Sequence, residues 1–202
     1  VSDWTMTRRK CITSDCGVSA SQLTNMRLWP NSKCFWNKCT FCGINKKYDE
    51  VYYGDTFANV DEKIEHIKKM YSQGCKYYWF IDEAIPPATI SNFAQKLLDN
   101  NIEIFWQVRS RIDYKYNDID FALLYKAGLR EIRLGLESAS TRIQKLMNKF
   151  SVDIDNLYIE NLVKKFNNNG ISVHFPMIIG FPTESIAERR ETYDFLEYLS
   201  RK

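Results

Sequence analysis

Asn31-Ser-Lys-Cys34-Phe-Trp-Asn-Lys-Cys39-Thr-Phe-Cys42-Gly43 sets three cysteines within nine residues, directly after a short strand-like segment, Met26 to Trp29. Three thiolates this close can grip one metal centre. Their number matters more than their proximity, because a closed structural zinc or iron–sulfur site takes four protein ligands and this loop supplies one fewer. A four-iron cluster held by three cysteines leaves one iron open to a small molecule, by the logic that leaves a water position on catalytic zinc. The spacing by itself also admits zinc, with Cys11, Cys16, Cys75 or His66 as the fourth ligand and the chain as a non-enzymatic scaffold domain. The surroundings favour the cluster: the loop follows the first strand of a βα series, whereas a zinc knuckle builds its own small fold.

Outward from the loop, short β-rich runs alternate with longer segments at helical spacing, the mark of βα units around a parallel sheet. The strands are expected at Met26 to Trp29, Lys76 to Ile81, Ile102 to Val108, Glu131 to Leu136 and Ile171 to Ile179. The helices between them carry Val60, Ile64, Ile67 and Tyr71, then Ile90, Phe93, Ala94, Leu97 and Leu98. Next come Phe121, Leu124 and Tyr125, with Asp118 as N-cap and Gly128 as stop. A short turn at Ile143, Leu146 and Met147 precedes a longer helix with Leu157, Leu162, Val163 and Phe166. The last helix starts near Ser185 and offers Ile186, Tyr193, Phe195, Leu196 and Leu199. Residues 1–25, with Trp4, Cys11 and Cys16, show no period and read as an extended lead-in or linker to a core domain at 26–202.

A chain of 202 residues fits one domain, and a globule of this size buries about 70 % of the surface its unfolded chain exposes. Apolar residues are 45 % and charged residues 26 %, the balance of a soluble globular protein. No apolar run approaches the ~20 residues that span a bilayer, and there is no secretory h-region, so a cytoplasmic protein without membrane contact is expected. The formal charge of +3 is spread along the chain, without the Lys/Arg block that would point to nucleic acid. Six cysteines in a chain able to build a real core read as reduced thiols serving a metal rather than as disulfides.

In a parallel barrel, alternate strand residues face inward and function collects at the C-terminal strand ends. Ile132, Leu134 and Leu136 share one face, which leaves Arg133, Gly135 and Glu137 on the other; Gln107 and Arg109 lie opposite Ile104, Trp106 and Val108. His174 lies opposite Val173, Phe175 and Met177 and reads as a satisfied interior histidine, and Cys75 as a small buried hydrophobe. Several polar inner positions argue for a solvated or ligand-filled cavity. Asp82 and Glu83 close the second strand, where an acidic end can meet a ligand amine or merely cap a turn. Glu137-Ser138 follows Gly135, and that glutamate can accept from ribose hydroxyls or pair with Arg133 or Arg109.

Four ordered pieces resemble the radical S-adenosylmethionine (radical SAM) superfamily from Met26 onward: the cysteine stretch 34–42, Phe80-Ile-Asp-Glu83, Gly135-Leu-Glu-Ser138 and Ile178-Ile-Gly-Phe-Pro-Thr-Glu184. The first cysteine gap is one residue longer than the family's commonest C-x3-C-x2-C, which a loop can absorb. The wording is similar to the branch that often carries an N-terminal cobalamin domain and includes maturases of ribosomal peptides; this chain holds no such domain. The resemblance implies an α/β fold, a partial TIM-like (βα)6 barrel with five units visible and the sixth strand cut off. It implies a [4Fe-4S] cluster on Cys34, Cys39 and Cys42, with S-adenosylmethionine (AdoMet) on the fourth iron. It further implies Phe41 near the adenine, Asp82 or Glu83 at the methionine amine, Glu137 and Ser138 at the ribose, Gly180 and Phe181 along the adenine edge, and Arg109 at the methionine carboxylate. The activity implied is reductive cleavage of AdoMet to a 5′-deoxyadenosyl radical that abstracts hydrogen from a peptide or small molecule. A flavodoxin- or ferredoxin-type electron donor is implied, and cobalamin-linked methyl transfer where a further domain binds cobalamin.

Overall fold

The computed structural model describes residues 24–29, 34–44, 57 and 59–201; of the expected lead-in at 1–25, residues 1–23, with Trp4, Cys11 and Cys16, lie outside them, and Thr24 and Asn25 belong to the first strand instead. Five parallel strands form one sheet in the order β1 (Thr24–Met26), β2 (Tyr77–Phe80), β3 (Phe105–Arg111), β4 (Leu129–Gly135) and β5 (Ser172–His174), so each strand pairs with its neighbour in sequence. Between and after them run α1 (Val60–Ser72), α2 (Pro87–Asp99), α3 (Phe121–Lys126), α4 (Thr141–Leu146), α5 (Asn156–Asn168) and α6 (Ile186–Ser200). The open α/β sheet of five βα units is the one expected.

The helices form where their apolar stripes can be buried. Val60, Ile64 and Ile67 of α1 and Ile90, Phe93, Ala94 and Leu97 of α2 are buried as expected, and α2 begins on Pro87, whose missing N–H no helix bond needs there. On the sheet's helix-covered face Tyr78, Phe80, Trp106, Val108, Ile132 and Leu134 are all buried. Phe93 meets Phe80 and Trp106 edge to face, with ring centroids 5.6 and 5.4 Å apart, an arrangement aromatic quadrupoles favour.

Several boundaries differ from expectation, each for a physical reason. The first strand stops at Met26, because the N–H groups of Leu28 and Trp29 donate to the Asp82 carboxylate instead of to a strand. The third starts at Phe105 and runs on to Arg111: Ile102 and Ile104 are buried without being strand, and the polar end pairs with β4. β5 is only three residues long, and beyond it a single bridge joins Met177 to Glu137; Pro176 has no N–H to continue the ladder. Asp120, not Asp118, caps α3 by accepting from Leu123 N at 3.1 Å, and Asp118 closes a 3-10 turn. Tyr125, Leu146, Leu157, Ile186 and Tyr193, read as helix-face residues, are exposed. Gly128 is required where α3 turns into β4: at φ +93° an added Cβ would stand 1.7 Å from the Ile104 carbonyl oxygen.

Strand alternation sends Gln107, Arg109 and Arg111 of β3, Glu131, Arg133 and Gly135 of β4, and His174 of β5 to the inner face, away from the apolar core. In register, Gln107 neighbours Glu131, Arg109 neighbours Arg133, Arg111 neighbours Gly135 and Arg133 neighbours His174. This face is the polar one that the sequence foreshadows.

Candidate active site

The cysteine loop stands at the C-terminal end of the sheet and is docked onto the segment that leaves α4. Thr40 N–H donates to the Met147 carbonyl (3.0 Å) and its hydroxyl to that of Leu146 (3.0 Å). Trp36 Nε1 donates to Asn148 O (2.7 Å), and Asn148 Nδ2 to Lys38 O (3.0 Å). Asn37 and Asn148 both sit at positive φ, 49° and 48°, a conformation asparagine tolerates better than most residues. Within the loop Cys42 N–H reaches the Cys39 carbonyl at 3.2 Å. Cys39 is buried, while Cys34 and Cys42 are half-buried.

Arg111 reaches this loop from the end of β3. Its guanidinium lies 3.7 Å from Cys39 Sγ, donates to the Lys149 carbonyl, and sits 4.8 Å from the Trp36 ring centre, 5.7 Å from Phe150 and 5.8 Å from Phe35. Burial pushes the Cys39 thiol above its ordinary value, against the charges of Lys149 and Arg111 and the hydrogen bond from Arg111. Burial likewise lowers the Arg111 value, against the pull of Cys39 and Cys34. Neither Arg111 nor Lys149 stands among the site residues read from sequence. Arg111 had a signal, since it continues the i, i+2 row of Gln107 and Arg109; Lys149 had none.

Among the described residues no three Cys, His, Asp or Glu side chains converge as ligands of a single metal ion. His66 is exposed on α1, and Cys75 packs partly buried against the core. A cubane places each of its cysteines on a different iron and needs no such convergence. Thiols in one loop, backed by cations and with Cys34 close enough to Cys39 to influence its ionisation, fit that donor set.

At the end of β2, Asp82 is 1 % exposed, and its two oxygens accept from Leu28 N (2.8 Å) and Trp29 N (2.6 Å). Burial raises its pKa while these N–H groups oppose the rise. It is therefore no solvated turn: Asp82 fastens the backbone that leaves β1. Glu83 is ion-paired with Arg27.

At the end of β4, Glu137 takes φ +67° and is held on both sides, its N–H donating to Pro176 O (3.1 Å) and its carbonyl accepting from Ile178 N (2.9 Å). Its Oε1 meets Lys149 Nζ at 2.9 Å, both side chains at most 10 % exposed. The partner is therefore neither Arg133 nor Arg109. Arg133 pairs instead with Glu131 (3.3 Å) and lies 4.2 Å over the Trp79 ring. Gly135 gives this ion pair its room: a Cβ there would come within 2.5 Å of Lys149 Nζ and 3.0 Å of Glu137 Oε1. Lys149 Nζ also lies 5.9 Å from the ring centre of Phe41, itself 36 % exposed. Ser138 is fully buried, its hydroxyl 3.3 Å from Thr192 Oγ1 and accepting from Ser140 N (3.2 Å).

Gly180, at φ +84°, donates its N–H to Glu184 Oε2 at 2.6 Å, which fixes the turn carrying half-buried Phe181. Arg109 is half-buried on the inner face without a side-chain partner among the described residues. His174 Nε2 lies 3.4 Å from Glu131 Oε2, in keeping with an engaged interior histidine.

The model of the radical SAM superfamily matches residues 31–196. The chain belongs to that superfamily. Among solved structures this radical SAM chain is similar to the cobalamin-dependent S-adenosylmethionine radical enzyme OxsB with aqua-cobalamin and S-adenosylmethionine bound, at TM-score 0.65 and 17 % identity over 87 % of this chain and 26 % of that one. It is also similar to the coproporphyrinogen III oxidase HemN from Escherichia coli, a radical SAM enzyme, at TM-score 0.52 and 13 % identity over 88 % of this chain and 41 % of the other. In sequence it is 24 % identical to an uncharacterized methyltransferase of Pyrococcus horikoshii over 80 % of this chain and 34 % of that protein. It is 26 % identical to the tRNA-2-methylthio-N(6)-dimethylallyladenosine synthase of Christiangramia forsetii, over 81 % of this chain and 38 % of that protein. The chain thus spans little more than a third of its curated relatives' length. No helix among the described residues is long and apolar enough to cross a membrane.

Proposed function

We propose that this radical SAM chain is the catalytic core of an enzyme in which Cys34, Cys39 and Cys42 hold a [4Fe-4S] cluster and leave its fourth iron to AdoMet. The observation that carries the reading is the three-cysteine loop docked at the C-terminal end of the sheet with a buried cation against Cys39. When bound, the two cofactors supply a 5′-deoxyadenosyl radical that takes a hydrogen atom from the substrate.

The chain's own residues orient AdoMet and exclude water from it. Glu83 is the better partner for the methionine amine, since both Asp82 oxygens are engaged by backbone N–H groups; Asp82 keeps the cysteine loop in place. Arg109 offers the methionine carboxylate a guanidinium without a side-chain partner among the described residues. Glu137, with Oε1 on Lys149, keeps Oε2 for a ribose hydroxyl. Ser138, next in the chain, stands on the same side of the site, its hydroxyl engaged by Thr192 and Ser140. Phe41 on one side, and Gly180 and Phe181 on the other, border the adenine. The electron comes from a flavodoxin- or ferredoxin-type donor, and the substrate is a peptide or small molecule admitted along the polar inner face. Methyl transfer through a cobalamin domain outside this stretch is the finer reading; the similarity to OxsB and to the P. horikoshii methyltransferase supports it.

The test is anaerobic reconstitution with iron and sulfide, followed by reduction, addition of AdoMet and assay of 5′-deoxyadenosine. A brown protein that forms the product, with cluster and product both lost in Cys39→Ala, is expected. Product formation by C39A at the wild-type rate removes the ligand assignment, and a colourless zinc protein removes the cluster.

A further inference from the structure

Arg111 is 5 % exposed, and among the described residues it forms no ion pair with a carboxylate. Buried guanidinium groups need a counter-charge, because an unpaired charge in a low-dielectric interior loses its hydration without compensation. Among the described residues, the protein groups its side chain donates to are the Lys149 carbonyl and Cys39 Sγ. Lys149, a further cation beside the loop, is differently placed: its Nζ is already met by Glu137 Oε1. Three rings, Phe35, Trp36 and Phe150, surround the guanidinium and keep water from screening it. Two of these rings immediately follow Cys34 in the chain, so the box that holds the cation is built partly from the ligand loop itself. The planar fork of arginine suits the position, since one arm takes the carbonyl while another is directed at sulfur, which a lysine ammonium on the same stem does less well.

Resting on the cluster reading above, we propose that Arg111 is a positioning residue that sets the reduction potential of the cluster by presenting a fixed positive charge and an N–H donor to the Cys39 sulfur. Reduction adds one negative charge to the cluster. A neighbouring cation, and a hydrogen bond to a ligand sulfur, stabilise the more negative state and raise the potential. Arg111 thereby eases the electron's entry from the donor and, in the same measure, weakens the cluster as a reductant toward AdoMet.

The experiment is a redox titration of the reconstituted full chain followed by electron paramagnetic resonance, with iron content determined first, on the wild type, R111M, R111Q and R111K. The midpoint is expected to move to more negative potential in R111M and R111Q, with R111K between them and the wild type. Iron uptake is read before any potential, so a wild type that takes up no cluster defeats the underlying reading separately. A loaded R111M at the wild-type midpoint overturns the proposal while leaving that reading intact. Should R111M lose its cluster, loaded R111Q is judged by the same criterion. A role confined to packing would lower iron occupancy and leave the midpoint where it was.

Discussion

The C-terminal ends of β2 and β4 each carry an acidic side chain that is almost wholly buried, Asp82 at 1 % and Glu137 at 7 % exposure. Asp82 faces its own backbone: both oxygens are taken by N–H groups of the segment leaving β1. Glu137 has one oxygen on a lysine, and its main chain is clamped by Pro176 and Ile178. Equivalent positions at the C-terminal end of the sheet thus serve different ends, one engaged by the backbone that leaves β1 and one by a lysine side chain, and the difference lies in which donors reach the carboxylate.

The sharpest way to break this contrast is to remove Asp82. Asp82→Ala orphans two buried N–H groups, at roughly 1–3 kcal/mol each, so a lower midpoint in urea unfolding and a loosened cysteine loop are expected. A midpoint equal to wild type would show that Asp82 fastens nothing. On the β4 side, Glu137→Gln leaves Lys149 buried without its counter-ion and is expected to cost about 3 kcal/mol and to weaken AdoMet binding. Adding Lys149→Met to it should restore most of the stability but not the affinity, measured by calorimetry on the cluster-loaded chain. Affinity that recovers together with stability would mean that Glu137 acts only as a structural partner.

The smallest effect concerns α6, which supplies Thr192 to the β4 end. The Arg142 guanidinium (2.7 Å), with Ser185 N–H and hydroxyl, holds the Glu188 carboxyl well below the usual glutamate range. A carboxyl whose folded pKa lies below its unfolded one adds stability that is complete above the unfolded value and is lost as pH falls through the folded one. In an NMR titration Glu188 should stay ionised to lower pH than the other glutamates, and the α6 N-terminus should loosen only when it protonates. Titration in the ordinary range would detach α6 from the polar support of β4.

Much of this arrangement was legible beforehand. Cysteine spacing, five β-rich runs and the i, i+3, i+4 stripes of α1 and α2 are local patterns, and local patterns survive into the fold. Two kinds of feature were not legible. Strand ends moved where burial and strand pairing part company, as at Ile102 and Ile104, or where Pro176 interrupts a ladder. Partners also moved when they came from distant loops: Lys149 approaches Glu137 from beyond α4, and no periodicity announces it. Gly135 belongs to the second kind too, since the pair that requires a glycine there, Lys149 and Glu137, has one member beyond α4.

The strands pair in the order in which they are made, and that has a consequence for biosynthesis. A chain emerging from the ribosome at about 5–20 residues per second exposes Cys34, Cys39 and Cys42 early. Arg111 and the 146–150 segment, which brace them, emerge only after roughly a further hundred residues, an interval of several seconds at that pace. During that interval the thiols are open to oxidation or to stray metal ions. On the cluster reading proposed above, iron–sulfur delivery to a nascent chain would have its natural moment after α4 has been made and the brace has closed.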